Sequence, residues 1–157
     1  MAFRAWGTAV AVGAVVLAGC GSESSPPAST CPGPRPAFSL TVVARTGAPL
    51  PWQTRVKVKS GGGEETYDAS APTSSPQFVF CKPLDANGAA IDADAGDSVM
   101  LGSIACTLWT DGAADVTVDA TGFVTAHQMF EAKDDSCGVV TSTVRVELDR
   151  VGLDGGT

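Results

Sequence analysis

The sequence predicts an all-β protein, a single antiparallel β-sandwich of about seven strands. Three observations predict it. Apolar and polar residues alternate with a period of two in four separate runs, which puts one face of each run in a core and the other in water. Clusters of Gly, Pro, Asn and Asp separate those runs, as frequent chain reversals require. Beyond the first twenty residues no long window carries a helical apolar stripe. Short strands with many turns assemble most simply as a sandwich.

The chain opens with MAFRAWGTAVAVGAVVLAGC. Arg4 and the chain amine give a positive start, and Ala5 to Val16 carry no charge. That apolar run has the length of a secretory signal core and falls short of the roughly 20 apolar residues of a membrane-spanning helix. A buried helix is the alternative, but an uncharged Ala/Val/Gly run at the extreme N-terminus is poorly built for one. Trp6 belongs to this segment and carries no binding role. Leu17-Ala18-Gly19-Cys20 resembles the lipobox of bacterial lipoproteins. In that family the cysteine thiol receives a diacylglycerol and a dedicated peptidase cuts just before it. The resemblance implies that Cys20 is the lipidated first residue of the mature chain. The two or three acyl chains that this implies would anchor the protein stably, where one chain holds only marginally.

GSESSPPAST follows, a Ser/Pro/Gly stretch that cannot bury apolar surface and is expected to stay extended. Gly21 and Ser22 offer no Asp of the kind that often signals inner-membrane retention in lipoproteins, which favours an outer membrane if the cell has one. The expected segmentation is a signal peptide over 1–19, a lipidated cysteine and tether over 20–36, a β-sandwich over 37–153 and a disordered tail over 154–157.

Removing residues 1–19 takes away the charged Arg4 and leaves 138 residues with a net charge of −8, enough for one ordinary domain after the tether. Such acidity argues against nucleic acid and an anionic membrane surface as partners. Besides Cys20 the chain has Cys31, Cys81, Cys106 and Cys137. An even set in an exported chain predicts two disulfides. No C-x-x-C pair occurs, which argues against zinc and redox chemistry.

The strands follow in order. In FSLTVVAR, Phe38, Leu40, Val42 and Ala44 share one side. In TRVKVK, Val56 and Val58 alternate with Arg55, Lys57 and Lys59. In AADVTVDA, Ala114, Val116, Val118 and Ala120 alternate with Asp115, Thr117 and Asp119. In VTSTVRVELD, Val140, Val144, Val146 and Leu148 mostly alternate with polar residues. The turns between them are TGAPLP, SGGGEE, DANG, TDG and ATGF. FSLTVVARTGAPLPWQTRVKV resembles the opening of carboxypeptidase regulatory-like domains, with its strand, Thr-Gly-x-Pro-Leu-Pro turn and second strand. DGAADVTVDATGF is similar to their later signature through Gly112, Val116, Val118, Gly122 and Phe123, and VTSTVRVEL to their last strand. The resemblance frames Phe38 to Leu148 and implies a prealbumin-like seven-stranded sandwich. The chain departs from that family in a longer, more acidic middle, residues 83–105.

Four cysteines allow three pairings. If the strands around Val116 and Val144 are separated by one antiparallel neighbour near Phe130, they run in the same direction. Cys106 and Cys137 then sit at one end, and the expected bonds are Cys106–Cys137 and Cys31–Cys81.

Three parts of the chain are candidate sites. DANGAAIDADAGD offers Asp85, Asn87, Asp92, Asp94 and Asp97 as oxygen ligands for calcium, with Asp92, Asp94 and Asp97 as the converging set. Its spacing fails the EF-hand pattern, because Ser103 stands where the bidentate Glu belongs. A solvated acidic loop is therefore expected and no metal. His127, the single histidine, lies in the strand-like FVTAHQMFEA, and no Gly-x-Ser-x-Gly motif accompanies it, so a surface or edge histidine is expected. Trp52 and Trp109 lie near strand ends, where packing is the expected role and sugar stacking the alternative. The expected function is a lipid-anchored envelope protein with a non-catalytic structural or interaction domain. It would take no cofactor and contact the membrane through acylated Cys20 and an envelope component through its domain. The alternative is a small carbohydrate- or calcium-binding module displayed on the envelope.

Overall fold

A computed structural model describes residues 31–72, 75–92 and 99–152. Every regular element among them is a strand. In chain order these are β1 (Phe38–Ala44), β2 (Leu50–Pro51), β3 (Arg55–Ser60), β4 (Gly63–Asp68), β5 (Val79–Leu84), β6 (Met100–Leu101), β7 (Ser103–Leu108), β8 (Ala114–Asp119), β9 (Ala126–Phe130), β10 (Lys133–Asp135), β11 (Gly138–Val140) and β12 (Ser142–Leu148). Two four-stranded sheets, ordered β12-β1-β7-β5 and β4-β3-β8-β9, hold the long strands, and two short ribbons, β2-β6 and β10-β11, flank them.

The period-two pattern becomes burial directly. Phe38, Leu40, Val42 and Ala44 of β1 point inward, with Val146 and Leu148 of β12 and Ile104, Cys106 and Leu108 of β7. Val56 and Val58 of β3 and Ala114, Val116 and Val118 of β8 do the same from the other sheet. All belong to one hydrophobic cluster, and Phe38 of one sheet meets Phe130 of the other with ring centroids 5.9 Å apart. The two sheets therefore share a core, the all-β architecture that the sequence predicts. Trp52 is the largest fully buried side chain in it. One pairing departs from the antiparallel pattern: β1 runs parallel to β12, in register from Phe38↔Ser142 to Ala44↔Leu148. The first and last long strands thus lie side by side.

Both open edges of the sandwich are tied across to the other sheet. At one edge β4 lies against β5. There Glu65 accepts the backbone N–H groups of Gln77, Phe78 and Val79 at 3.0, 2.9 and 3.0 Å. At the other edge the turn after β8 pairs with the chain after β12. Val124 N–H donates to Asp149 O at 2.7 Å and Val151 N–H to Gly122 O at 3.0 Å. Gly122 has φ 83° there, which side chains with a Cβ resist. Gly102 serves a different need: a Cβ at this position would collide with the Asp85 carbonyl, which packs against the β6–β7 junction.

The disulfides correct the expected pairing. They are Cys31–Cys137 and Cys81–Cys106. The reason lies in sheet membership. The expected pairing put the strands around Val116 and Val144 in one sheet, separated by β9. β8 and β9 instead belong to one sheet, while β12 lies beside β1 in the other. Cys81 and Cys106 stand directly opposite in the β5–β7 ladder. Directly opposed residues project to the same face, so their side chains meet.

Candidate binding face

The N-terminal segment 31–37 is fixed to one end of the sandwich. Cys31 is bonded to Cys137, in the turn of the β10–β11 hairpin. Arg35 Nη2 lies 3.2 Å from Asp135 Oδ2, and Cys137 N–H donates to Asp135 Oδ1 at 2.7 Å. The Cys137 N–H and then Arg35 hold the Asp135 carboxyl below the usual carboxylate range. Thr141 Oγ1 donates to Pro36 O at 2.7 Å, and Ala37 N–H to Leu108 O at 2.9 Å. Trp109 stands beside this clamp, over a cleft of about 430 Å³ whose wall includes Pro34, Arg35, Asp111 and Val139.

Trp52 and Trp109 do not form a pair, since Trp52 is a core residue and Trp109 is 41 % exposed. The register supplies another aromatic neighbour. Trp109 N–H donates to Phe78 O at 2.9 Å, which continues the β5–β7 ladder one step past Val79↔Leu108. Thr107 and Trp109 therefore leave the sheet on its outer side, and Phe80, opposite Thr107, leaves on the same side. Phe80 is 44 % exposed. Diagonal neighbours of this kind stand roughly 7–8 Å apart. Beside Phe80 are the hydroxyls of Ser39 and Thr107 and the ammonium of Lys82, around a shallow depression of about 470 Å³, while Trp109 lines the neighbouring cleft at the clamp. The sequence alone does not single out Phe80. Its signal, the alternation Val79-Phe80-Cys81-Lys82, becomes readable only once β5 is paired with β7.

The outer face of the other sheet has a different chemistry. Arg55, Lys57 and Lys59 of β3 run down its middle, with acids on both neighbours. Arg55 Nε contacts Asp68 Oδ2 at 2.7 Å and Lys57 Nζ contacts Glu64 Oε1 at 2.9 Å. Both cations are held above their usual pKa by these hydrogen bonds. Partial burial pushes Asp68 up, but hydrogen bonds from Ser70 and Arg55 outweigh it and the carboxyl ends below its usual range. His127 lies here, exposed on the edge strand β9, with Nε2 2.6 Å from Asp115 Oδ1 outside hydrogen-bond geometry. Thr117 is directly opposite it. The edge position expected for His127 is thus found, with an acid beside it on an open, charge-lined surface.

The acidic stretch divides. Asp85 Oδ1 accepts the N–H groups of Asn87 and Ala89, each at 2.8 Å, and its carboxyl is held low chiefly by the Ala89 bond. Asp85 thus closes the Asp-Ala-Asn-Gly turn. Asp92 is exposed, and Asp94 and Asp97 lie outside the described residues. Among the described residues no three His, Cys, Asp or Glu side chains converge to hold a metal. Cys20 also lies outside the described residues, and no described helix is long and apolar enough to cross a membrane. Comparison with models of known protein families gives no match, and neither do comparisons with curated proteins and with solved structures.

Proposed function

We propose that this chain is an exported lipoprotein whose β-sandwich serves as a non-catalytic interaction domain at the cell envelope. The observation that carries the reading is Leu17-Ala18-Gly19-Cys20 at the end of an uncharged N-terminal run. Two features of the domain support it. Its cysteines are paired in two disulfides, as suits an oxidising compartment outside the cytosol. The domain also begins with a clamp, Cys31–Cys137 and Arg35–Asp135, that bolts the end of the tether to the fold. A tether from Gly21 to Thr30 reaches under about 20 Å if flexible and about 30 Å if stiffened by proline. The domain would stay near its membrane, so its partner is a neighbouring envelope component. With no Asp after Cys20, the outer membrane is favoured in a cell that has one. The reading gives His127 no catalytic role, because it sits with Asp115 on an open face instead of in an enclosed, water-excluding site. Replacing the anchor tests the reading. Cys20→Ser is expected to move the protein from the membrane fraction into the soluble exported fraction; unchanged membrane association would refute the anchor.

A further inference from the structure

The two outer faces of the sandwich differ in kind, and the difference points to a ligand. We propose that the outer face of the β12-β1-β7-β5 sheet binds an uncharged pyranose oligosaccharide, with Trp109 and Phe80 as its stacking platforms. The proposal rests on the interaction-domain reading above and names the ligand class of that domain. A pyranose ring presents an apolar face of C–H groups and a rim of hydroxyls. Its complement is an exposed aromatic face bordered by hydrogen-bonding side chains. Trp109 and Phe80 supply two such faces, 41 % and 44 % exposed, on one side of one sheet. Ser39, Thr107 and Lys82 supply donors beside Phe80, and Arg35 and Asp111 supply polar groups beside Trp109. The depressions at these residues, about 430 and 470 Å³, have the size of small-molecule sites, which run from about 300 to 1,000 Å³. The diagonal spacing lets one short oligosaccharide touch both rings.

Charge selects the class. The mature chain carries −8, and at the Trp109 cleft Arg35 is already paired with Asp135 while Asp111 adds a negative group. An anionic glycan would meet repulsion there and an uncharged one would not. The opposite outer face, lined by Arg55, Lys57, Lys59 and their acidic partners, offers a sugar no comparable pair of aromatic platforms.

The test uses the full chain purified from membranes in a non-glycosidic detergent. It is titrated with cellotetraose, mannotetraose and tetra-N-acetylchitotetraose to about 10 mM, which covers the weak end of specific binding. Calorimetry measures binding and tryptophan emission locates it, since Trp52 is buried and shielded from ligand. A saturable heat with at least one of the three is expected, together with a change in emission. Trp109→Ala should abolish both. Phe80→Ala should weaken the tetrasaccharide about tenfold, the effect of losing one stacking contact and the apolar area it covers. Both side chains are exposed, so both variants should keep the parent's thermal midpoint. No saturable heat with any of the three sugars, or heat that survives Trp109→Ala, overturns the proposal. The Cys20→Ser chain should bind the same sugar from the soluble fraction, so loss of the anchor and loss of sugar binding are read separately.

Discussion

Glu65 should be worth more to this fold than any other surface-accessible acid. Its carboxylate spans the gap between the two sheets and accepts three successive backbone N–H groups at the start of β5, two of them partly buried. Hydrogen bonds to a charged acceptor contribute about 1.5–3 kcal/mol each. Three bonds to one carboxylate are not additive, and the bond from Gln77 is exposed, so we expect Glu65→Ala to lose about 3 kcal/mol in all. The loss should exceed that of a broken surface ion pair, about 0–1 kcal/mol, because the amides are left without an acceptor. For a domain of this size 1 kcal/mol moves the midpoint by about 3–5 °C, so Glu65→Ala should melt about 10 °C lower. Glu65→Gln keeps one acceptor oxygen and should fall between the two. Thermal melting with disulfides intact measures the shift, and hydrogen exchange locates it at the amides of Gln77, Phe78 and Val79. A Glu65→Ala protein that melts within about 2 °C of the parent, a loss under 1 kcal/mol, would refute the reasoning.

Non-reducing peptide mapping should recover Cys31–Cys137 and Cys81–Cys106 and no other pair. Their loops, with separations of 106 and 25 residues, differ enough that chain entropy assigns about 4.7 kcal/mol to the first and about 3.5 kcal/mol to the second. Replacing the first pair by Ser should therefore lower the midpoint further. Tyr67 is 5 % exposed, its hydroxyl has no hydrogen-bond partner among the described residues, and burial pushes its pKa up to about 12. Tyr67→Phe removes an unsatisfied group, so chemical denaturation should find it as stable as the parent or more so; a loss above about 1 kcal/mol would mean the hydroxyl is bonded. Asp68, Asp85 and Asp135 all have lowered pKa values in the fold. Their stabilisation is fully present above the unfolded carboxyl value of about 3.9 and is lost as pH falls through their folded values. The midpoint should therefore change little from neutrality to about pH 5 and drop below about pH 4, less steeply in Asp135→Asn.

The strands that could be read from the sequence are those whose side chains contrast. Val56 and Val58 alternate with Arg and Lys, and Val116 and Val118 with Thr and Asp, so β3 and β8 are plain. In β7, Ile104, Cys106 and Leu108 alternate with Ser103, Ala105 and Thr107, small residues that carry little polar contrast. The local pattern nevertheless says nothing about which sheet a strand joins. That choice depends on nonlocal pairing, and the expected Cys106–Cys137 bond failed on it, because β12 pairs with β1 and not beside β9. The same limit hid the Phe80–Trp109 face, whose two members are 29 positions apart and meet only through the β5–β7 register. Glu65 shows the reverse case. Glu65 shares the inner face of β4 with Tyr67, and only the arrival of Gln77–Val79 at the sheet edge explains why a charge belongs there. The acidic stretch reads as a loop from its composition, and its first carboxylate, Asp85, accepts two turn amides.

The claim on which the functional account depends is that Cys20 is a lipid anchor. Intact mass of the protein purified from the membranes of its native cell tests this most directly. The account predicts a chain that begins at Cys20, with residues 1–19 absent, and a mass raised by a thioether-linked diacylglycerol, with or without a further amide-linked acyl chain. A chain that begins elsewhere, or one that begins at Cys20 with an unmodified thiol, would contradict it.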